Sequence, residues 1–158
     1  MPGWAGRITK AAAAGAIAVA GVVVGTGSAH ADSAALCRSQ VVGGYDYVTD
    51  SIGIDSCYHV KDDRRTIYAT VPFVNNDNES IVICAHLLNA NNLGGPWVHD
   101  FGCAYQTGAY QGTAWPGACC YGQGQTFTAG RGAYIVSAGF WLNGRYLGDV
   151  RSPETVIG

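Results

Sequence analysis

The run Tyr134-Ile135-Val136-Ser137-Ala138-Gly139-Phe140-Trp141-Leu142, then Asn143-Gly144, then Arg145-Tyr146-Leu147-Gly148-Asp149-Val150 leaves little choice of secondary structure. Two stretches with alternating apolar positions flank a dipeptide whose residues both tolerate positive φ. A two-residue type I′ turn requires positive φ at both central positions. The run predicts a β-hairpin.

Period-two alternation recurs upstream, and no window after Asp32 sustains an apolar period of 3.6 residues. Thr66 to Val74 puts Ile67, Ala69, Val71 and Phe73 on one face and Tyr68, Thr70 and Val74 on the other. Pro72 within it predicts an edge strand or a bulge, since proline has no N–H for a ladder. Ser80 to Leu88 alternates likewise, Ile81, Ile83, Ala85 and Leu87 against Val82, Cys84, His86 and Leu88. The Asn- and Asp-rich segment between them reads as a turn, because these residues tolerate left-handed dihedrals and hydrogen-bond their own backbone. The two strands are expected to form a second hairpin. A third strand is expected from Trp97 to Cys103, followed by a long ordered loop from Ala104 to Gly124, rich in Gly, Tyr, Gln and Ala. Short strands, frequent turns and two apolar faces predict an all-β protein, a disulfide-stapled β-sandwich of immunoglobulin-like or similar kind.

The amino terminus is different in kind. Arg7 and Lys10, with no acidic residue, precede an Ala-, Gly-, Val- and Ile-rich run and then the small-x-small triplet Ala29-His30-Ala31. That order is a secretory signal peptide cleaved after Ala31. A membrane helix wants about 20 strongly apolar residues, whereas this run is broken by glycine and followed at once by a polar, cysteine-containing chain. The sequence then divides into a signal peptide over 1–31, an extended N-terminal arm over 32–48 with Gly43-Gly44 as a flexible joint, and one domain over 49–158.

All six cysteines, Cys37, Cys57, Cys84, Cys103, Cys119 and Cys120, follow the cleavage site. An exported chain with an even count reads as three disulfides. A zinc site would want short Cys pairs with histidines at matching offsets, and the long irregular gaps do not supply them. Of the possible pairings, Cys37 with Cys57 is expected, with Cys84 and Cys103 each taking one of Cys119 and Cys120. A bond between the adjacent Cys119 and Cys120 would strain the peptide joining them.

Without Arg7 and Lys10, seven basic side chains remain against eleven acidic ones. This mildly acidic chain without a basic run has no electrostatic footprint for nucleic acid or an anionic membrane. The G-x-S-x-G elbow, His-Glu-x-x-His, the P-loop and the dinucleotide glycine pattern are absent from the sequence, so neither catalysis nor a cofactor or metal is expected. His99 and Asp100 are neighbours on a strand and point to opposite faces. Satisfied or solvent-facing roles are expected for His59, His86 and His99, and Asp62-Asp63-Arg64-Arg65 reads as a solvated turn. Val41-Val42-Gly43-Gly44 matches the mature start of trypsin-like proteases, but no His- or Ser-bearing segment of that family follows.

The aromatic loop holds Tyr105, Tyr110, Trp115 and Tyr121 among Gly and Gln. Two readings of these rings stay open: a stiff contact surface for a protein or sugar, or a cover folded back over the sandwich. Among function classes, a non-catalytic binding or adaptor protein fits every feature. The alternative is an inhibitor of a secreted hydrolase, with Arg38 entering a trypsin-like pocket or Trp115-Pro116 a glycosidase cleft.

The signal peptide, the arm around Ala35-Leu36-Cys37-Arg38-Ser39-Gln40-Val41-Val42 and the single cysteine-stapled β domain resemble the small adaptor subunit of the umbrella toxin particles secreted by Streptomyces. The resemblance is one of architecture. It implies a secreted adaptor that joins a large repeat-containing toxin stalk to lectin subunits of trypsin-like fold. It makes the arm (Arg38, Val41, Val42, Tyr45) and the long loop (Tyr110, Trp115) the candidate partner-binding residues, the arm ordering on assembly by adding a strand or filling a groove.

Overall fold

A computed structural model of the chain describes Asp32 and residues 34–76, 79–106, 110–118 and 124–158. The expected signal peptide over 1–31, Cys119, Cys120 and Tyr121 lie outside the described residues. The elements are β1 (Ala34–Cys37), α1 (Ser39–Val42), β2 (Asp46–Tyr47), β3 (Ile52–Ile54), β4 (Cys57–Val60), β5 (Thr66–Asn75), β6 (Ile81–Asn89), β7 (His99–Gln106), β8 (Tyr110–Ala114), β9 (Thr126–Thr128), β10 (Gly132–Leu142), β11 (Arg145–Arg151) and β12 (Thr155–Ile157). Among the described residues, no helix is long and apolar enough to cross a membrane.

The strands form two antiparallel sheets packed face to face, so the expected sandwich is borne out. The first is centred on β5, with β4 and β3 along one side and β9 and β8 along the other; β1 extends beyond β4 and β2 beyond β3. The second runs β11-β10-β6-β7, with β12 added to β10. The alternation of each long strand decides which face enters the core. Ile67, Ala69, Val71 and Phe73 of β5 face Ile81, Ile83, Ala85 and Leu87 of β6 in two buried clusters, completed by Phe101, Val136, Ala138 and Phe140. Burying each of the Val, Ile, Leu and Phe side chains stabilises by about 1.5–3 kcal/mol.

The predicted terminal hairpin is present. Asn143 and Gly144 have φ of 50° and 77°, as the type I′ turn demands, and β10 pairs with β11 from Leu142↔Arg145 to Ser137↔Arg151. The predicted hairpin of β5 and β6 is not formed. Both sides of β5 are already occupied, and β6 pairs instead with β7 and β10, so the turn after Asn75 carries the chain from one sheet to the other. Nor is β5 an edge strand. The carbonyl of Pro72 accepts from Asp55 N–H at 2.9 Å and points, with the proline nitrogen, at the junction of β3 and β4. The ladder is interrupted there, and a missing donor is tolerated.

Two further expectations are corrected. Ala104 to Gly124 is not one loop: β7 continues to Gln106, and Tyr110–Ala114 is a strand paired with β5. The cysteine pairing also differs in part. Cys37–Cys57 is formed as predicted, but Cys84 bonds Cys103 rather than Cys119 or Cys120. The register explains it, since Cys84 and Cys103 are direct cross-strand neighbours on β6 and β7, with Cα atoms 3.9 Å apart. Two disulfides in one small domain belong to an oxidising environment.

Candidate functional site

The arm is extended over Ala34–Cys37, but it does not stand free. It lies along β4 in register from Ala34↔Val60 to Cys37↔Cys57, and the disulfide locks the last pair. The chain then reverses through a single helical turn. Arg38 N–H reaches Ser56 O at 3.0 Å and Cys37 N–H reaches Gln40 Oε1 at 2.7 Å. Ser39 gives its N–H and its hydroxyl to the two oxygens of the buried Asp55 carboxylate. The Arg38 guanidinium pairs with Asp46 at 3.3 Å. Gly43 and Gly44, both with positive φ, lead the chain into β2.

These fastenings hold Val41 and Val42 outward, 61% and 58% exposed. Tyr45 is half-buried just beyond them. Sequence-predicted Arg38, Val41, Val42 and Tyr45 therefore share the one turn that joins β1 to β2 at the edge of the first sheet. Tyr110 opens β8 opposite Asn75 of β5. It is separated from β2 by β3 and β5, three strand spacings or roughly 14 Å. Trp115 follows β8, half-buried, with its ring stacked on Tyr68 at 6.0 Å and 13°. The six candidate residues thus make two groups on opposite edges of one sheet, and Trp115 covers the sheet's outer face.

On that outer face lies a polar cluster that the sequence reading missed. Asp32 Oδ2 is 3.0 Å from His59 Nδ1 and accepts from the Tyr68 hydroxyl at 2.5 Å. His59 Nε2 is 2.8 Å from Thr70 Oγ1, and its ring stacks on Tyr68 with centroids 4.5 Å apart. In the neutral tautomer that donates Nδ1–H to the carboxylate, Nε2 accepts from the threonine hydroxyl. Burial first, and then the hydrogen bond to Asp32 and its charge, push the Tyr68 phenol above its ordinary range. Carboxylate, imidazole and hydroxyl in this order form a proton relay in outline, but Thr70 is only 4% exposed in mid-strand and cannot meet a substrate. The cluster fastens the start of the arm to β4 and β5. No local sequence pattern marks it: His59 on β4 and Tyr68 on β5 meet through the sheet register, while Asp32 comes from the arm.

The remaining histidines are packed too. His99 lies edge-on to Phe101 and stacked on Phe127, and its neighbour Asp100 turns away to His86, 3.3 Å from Nδ1. Potential ligand atoms of Cys37, Asp55 and Cys57 lie within 4.8 Å of one another. Both sulfurs are spent in the disulfide and both Asp55 oxygens on Ser39, so this is a structural knot and not a metal donor set. Comparison of the sequence with protein-family models and with curated proteins gives no match, and any function rests on the geometry above.

Proposed function

We propose that this chain is a secreted, non-catalytic binding protein that links other secreted proteins, with the turn over 38–45 and the edge over 110–115 as its two contacts. The observation that carries the reading is the pair Val41 and Val42, exposed on a turn fixed by a disulfide, a buried carboxylate and an ion pair. Apolar side chains fixed outward before binding lose little entropy when a partner covers them. Two groups on opposite edges suit a connector, and the architecture resembles the adaptor of umbrella toxin particles, in which stalk and lectin would be the partners. The inhibitor alternative is served less well. Arg38 has helical dihedrals, φ −56° and ψ −42°, and is engaged by Asp46, whereas β-strand addition to an enzyme cleft needs an extended backbone.

Affinity capture from culture supernatant of the producing organism tests this. Wild-type protein should return a very large secreted protein and a lectin, and the double variant Val41→Asp/Val42→Asp should lose one of them while keeping the other. Capture of a single hydrolase, or equal capture by wild type and variant, would remove the proposal.

A further inference from the structure

The outer face of the second sheet is built differently from the two edges. Read across the strands, Tyr105, Val82, Trp141 and Tyr146 form one row; Cys103, Cys84, Gly139 and Asp149 the next; Asp100, His86, Ser137 and Arg151 the third. The first row spans three strand spacings, and it lies about 13 Å along the strands from the third. Tyr105 is 77% exposed, Tyr146 49%. From the loop before β7, Trp97 lays its indole flat on the His86 imidazole, centroids 3.5 Å apart and planes 9° from parallel, and remains 58% exposed. Its outer π-face is held in place and open to solvent.

The middle row is low. Gly139 carries no side chain, and a Cβ there would come within 3.0 Å of the Trp141 ring and 2.9 Å of Asp149 Oδ1. The glycine, paired with Cys84, thus lets the Trp141 indole lie down over the sheet, in tilted contact with Tyr146 at 5.0 Å. The result is a shallow aromatic floor between Tyr105 and Tyr146 at one end and the Trp97 ledge at the other. Charged groups are interleaved with the rings: Asp149 beside Trp141, Asp100 beside His86, and Arg151 on the edge strand.

We propose that this face binds a neutral glycan chain. The core of a protein–protein contact is depleted of charge, whereas here carboxylates and a guanidinium stand among the aromatic rings. Pyranose rings offer what that pattern requires. Their C–H faces lie on π-surfaces, and their hydroxyls, directed sideways, donate to the carboxylates and accept from arginine. Rigid Trp and Tyr side chains give such contact at small entropic cost. An exposed sheet face crossed by rings at both ends of its rows fits a segment within a polymer. The site is separate from the two protein contacts and does not depend on them.

Retention of the whole mature protein on microcrystalline cellulose, chitin and insoluble starch is the test, with Trp97→Ala and Tyr105→Ala as variants and Glu154→Ala as control. Wild type and control should be retained on at least one polymer. Retention should fall at least about tenfold in Trp97→Ala or Tyr105→Ala, both of which remove exposed rings and leave the thermal transition in place. Failure of wild type to bind any of the three, or equal retention by wild type and both variants, would overturn the proposal.

Discussion

Ser39 gives both of its donors to one carboxylate, that of Asp55: its N–H reaches Oδ1 at 3.0 Å and its hydroxyl reaches Oδ2 at 2.5 Å. Asp55 is buried and Ser39 half-buried, so the carboxylate depends on these two bonds for its partners. The pair joins the first residue of α1 to the bend between β3 and β4. The orientation of Val41 and Val42 follows from it.

Asp55→Ala should therefore cost about 1.5–3 kcal/mol, the loss of hydrogen bonds to a charged group. Urea denaturation measures that loss. Hydrogen exchange should show faster exchange at the amides of Val42 and Gly43, whose bonds to Arg38 and Ser39 carbonyls close the turn, with core amides of β6 and β10 accelerated less.

Gly117→Ala should be among the most damaging of the small substitutions. Gly117 has φ of +68°, and a Cβ there would fall 2.0 Å from the carbonyl oxygen of Phe101. The strained dihedral alone costs about 1–2 kcal/mol, and the backbone clash would push the segment over 115–118 away from β7. A thermal melt should show a loss larger than that of Gly144→Ala, where φ is +77° but no atom lies within 4 Å.

Acid titration should isolate one turn. The Asp63 carboxyl is lowered from 3.8 to about 2 by the hydroxyl of Thr66, then by the N–H groups of Thr66 and Arg65 and the charge of Lys61. A depressed folded pKa gives stability that is complete above the unfolded value and is lost as pH falls through the folded one. Wild type should therefore lose this contribution between pH 3.8 and about 2. Asp63→Asn should be less stable than wild type at neutral pH and show a flatter dependence across that window, as followed by circular dichroism.

Peptide mapping under non-reducing conditions should recover Cys37–Cys57 and Cys84–Cys103 as linked pairs. Removing the second by Cys84→Ala with Cys103→Ala should lower stability by about 3 kcal/mol, given its sequence separation of 19. Recovery of Cys84 linked to Cys119 or Cys120 would contradict the register of β6 and β7.

Which faces are buried was legible in the sequence, because alternation fixes orientation on a strand. Ile67, Ala69, Val71 and Phe73 lie in the core as their spacing predicts. Which strands pair was less legible. Alternation says nothing about neighbours, so β5 and β6, adjacent in the chain, pass for a hairpin although they belong to opposite sheets. Asn143-Gly144 succeeded because turn chemistry adds the missing information. The strand Tyr110–Ala114 was hidden by glycine and glutamine, whose presence weakens any apolar signal. Of the candidate site, the exposed valines and Arg38 were visible as residues, but Asp55, which orients them, carried no local mark. Its role depends on a bend that only the sheet brings alongside Ser39. The Asp32, His59 and Thr70 cluster was hidden likewise, assembled from the arm and two strands.

The most direct measurement of the proposed linking role is the size of the species in which the native protein elutes. Size-exclusion chromatography with light scattering on unfractionated culture supernatant should place the wild-type chain in an assembly far heavier than itself. Val41→Asp/Val42→Asp should shift it to a lighter species with an unchanged melting temperature. A wild-type protein eluting as a free monomer, under conditions where the organism secretes it, would contradict the account.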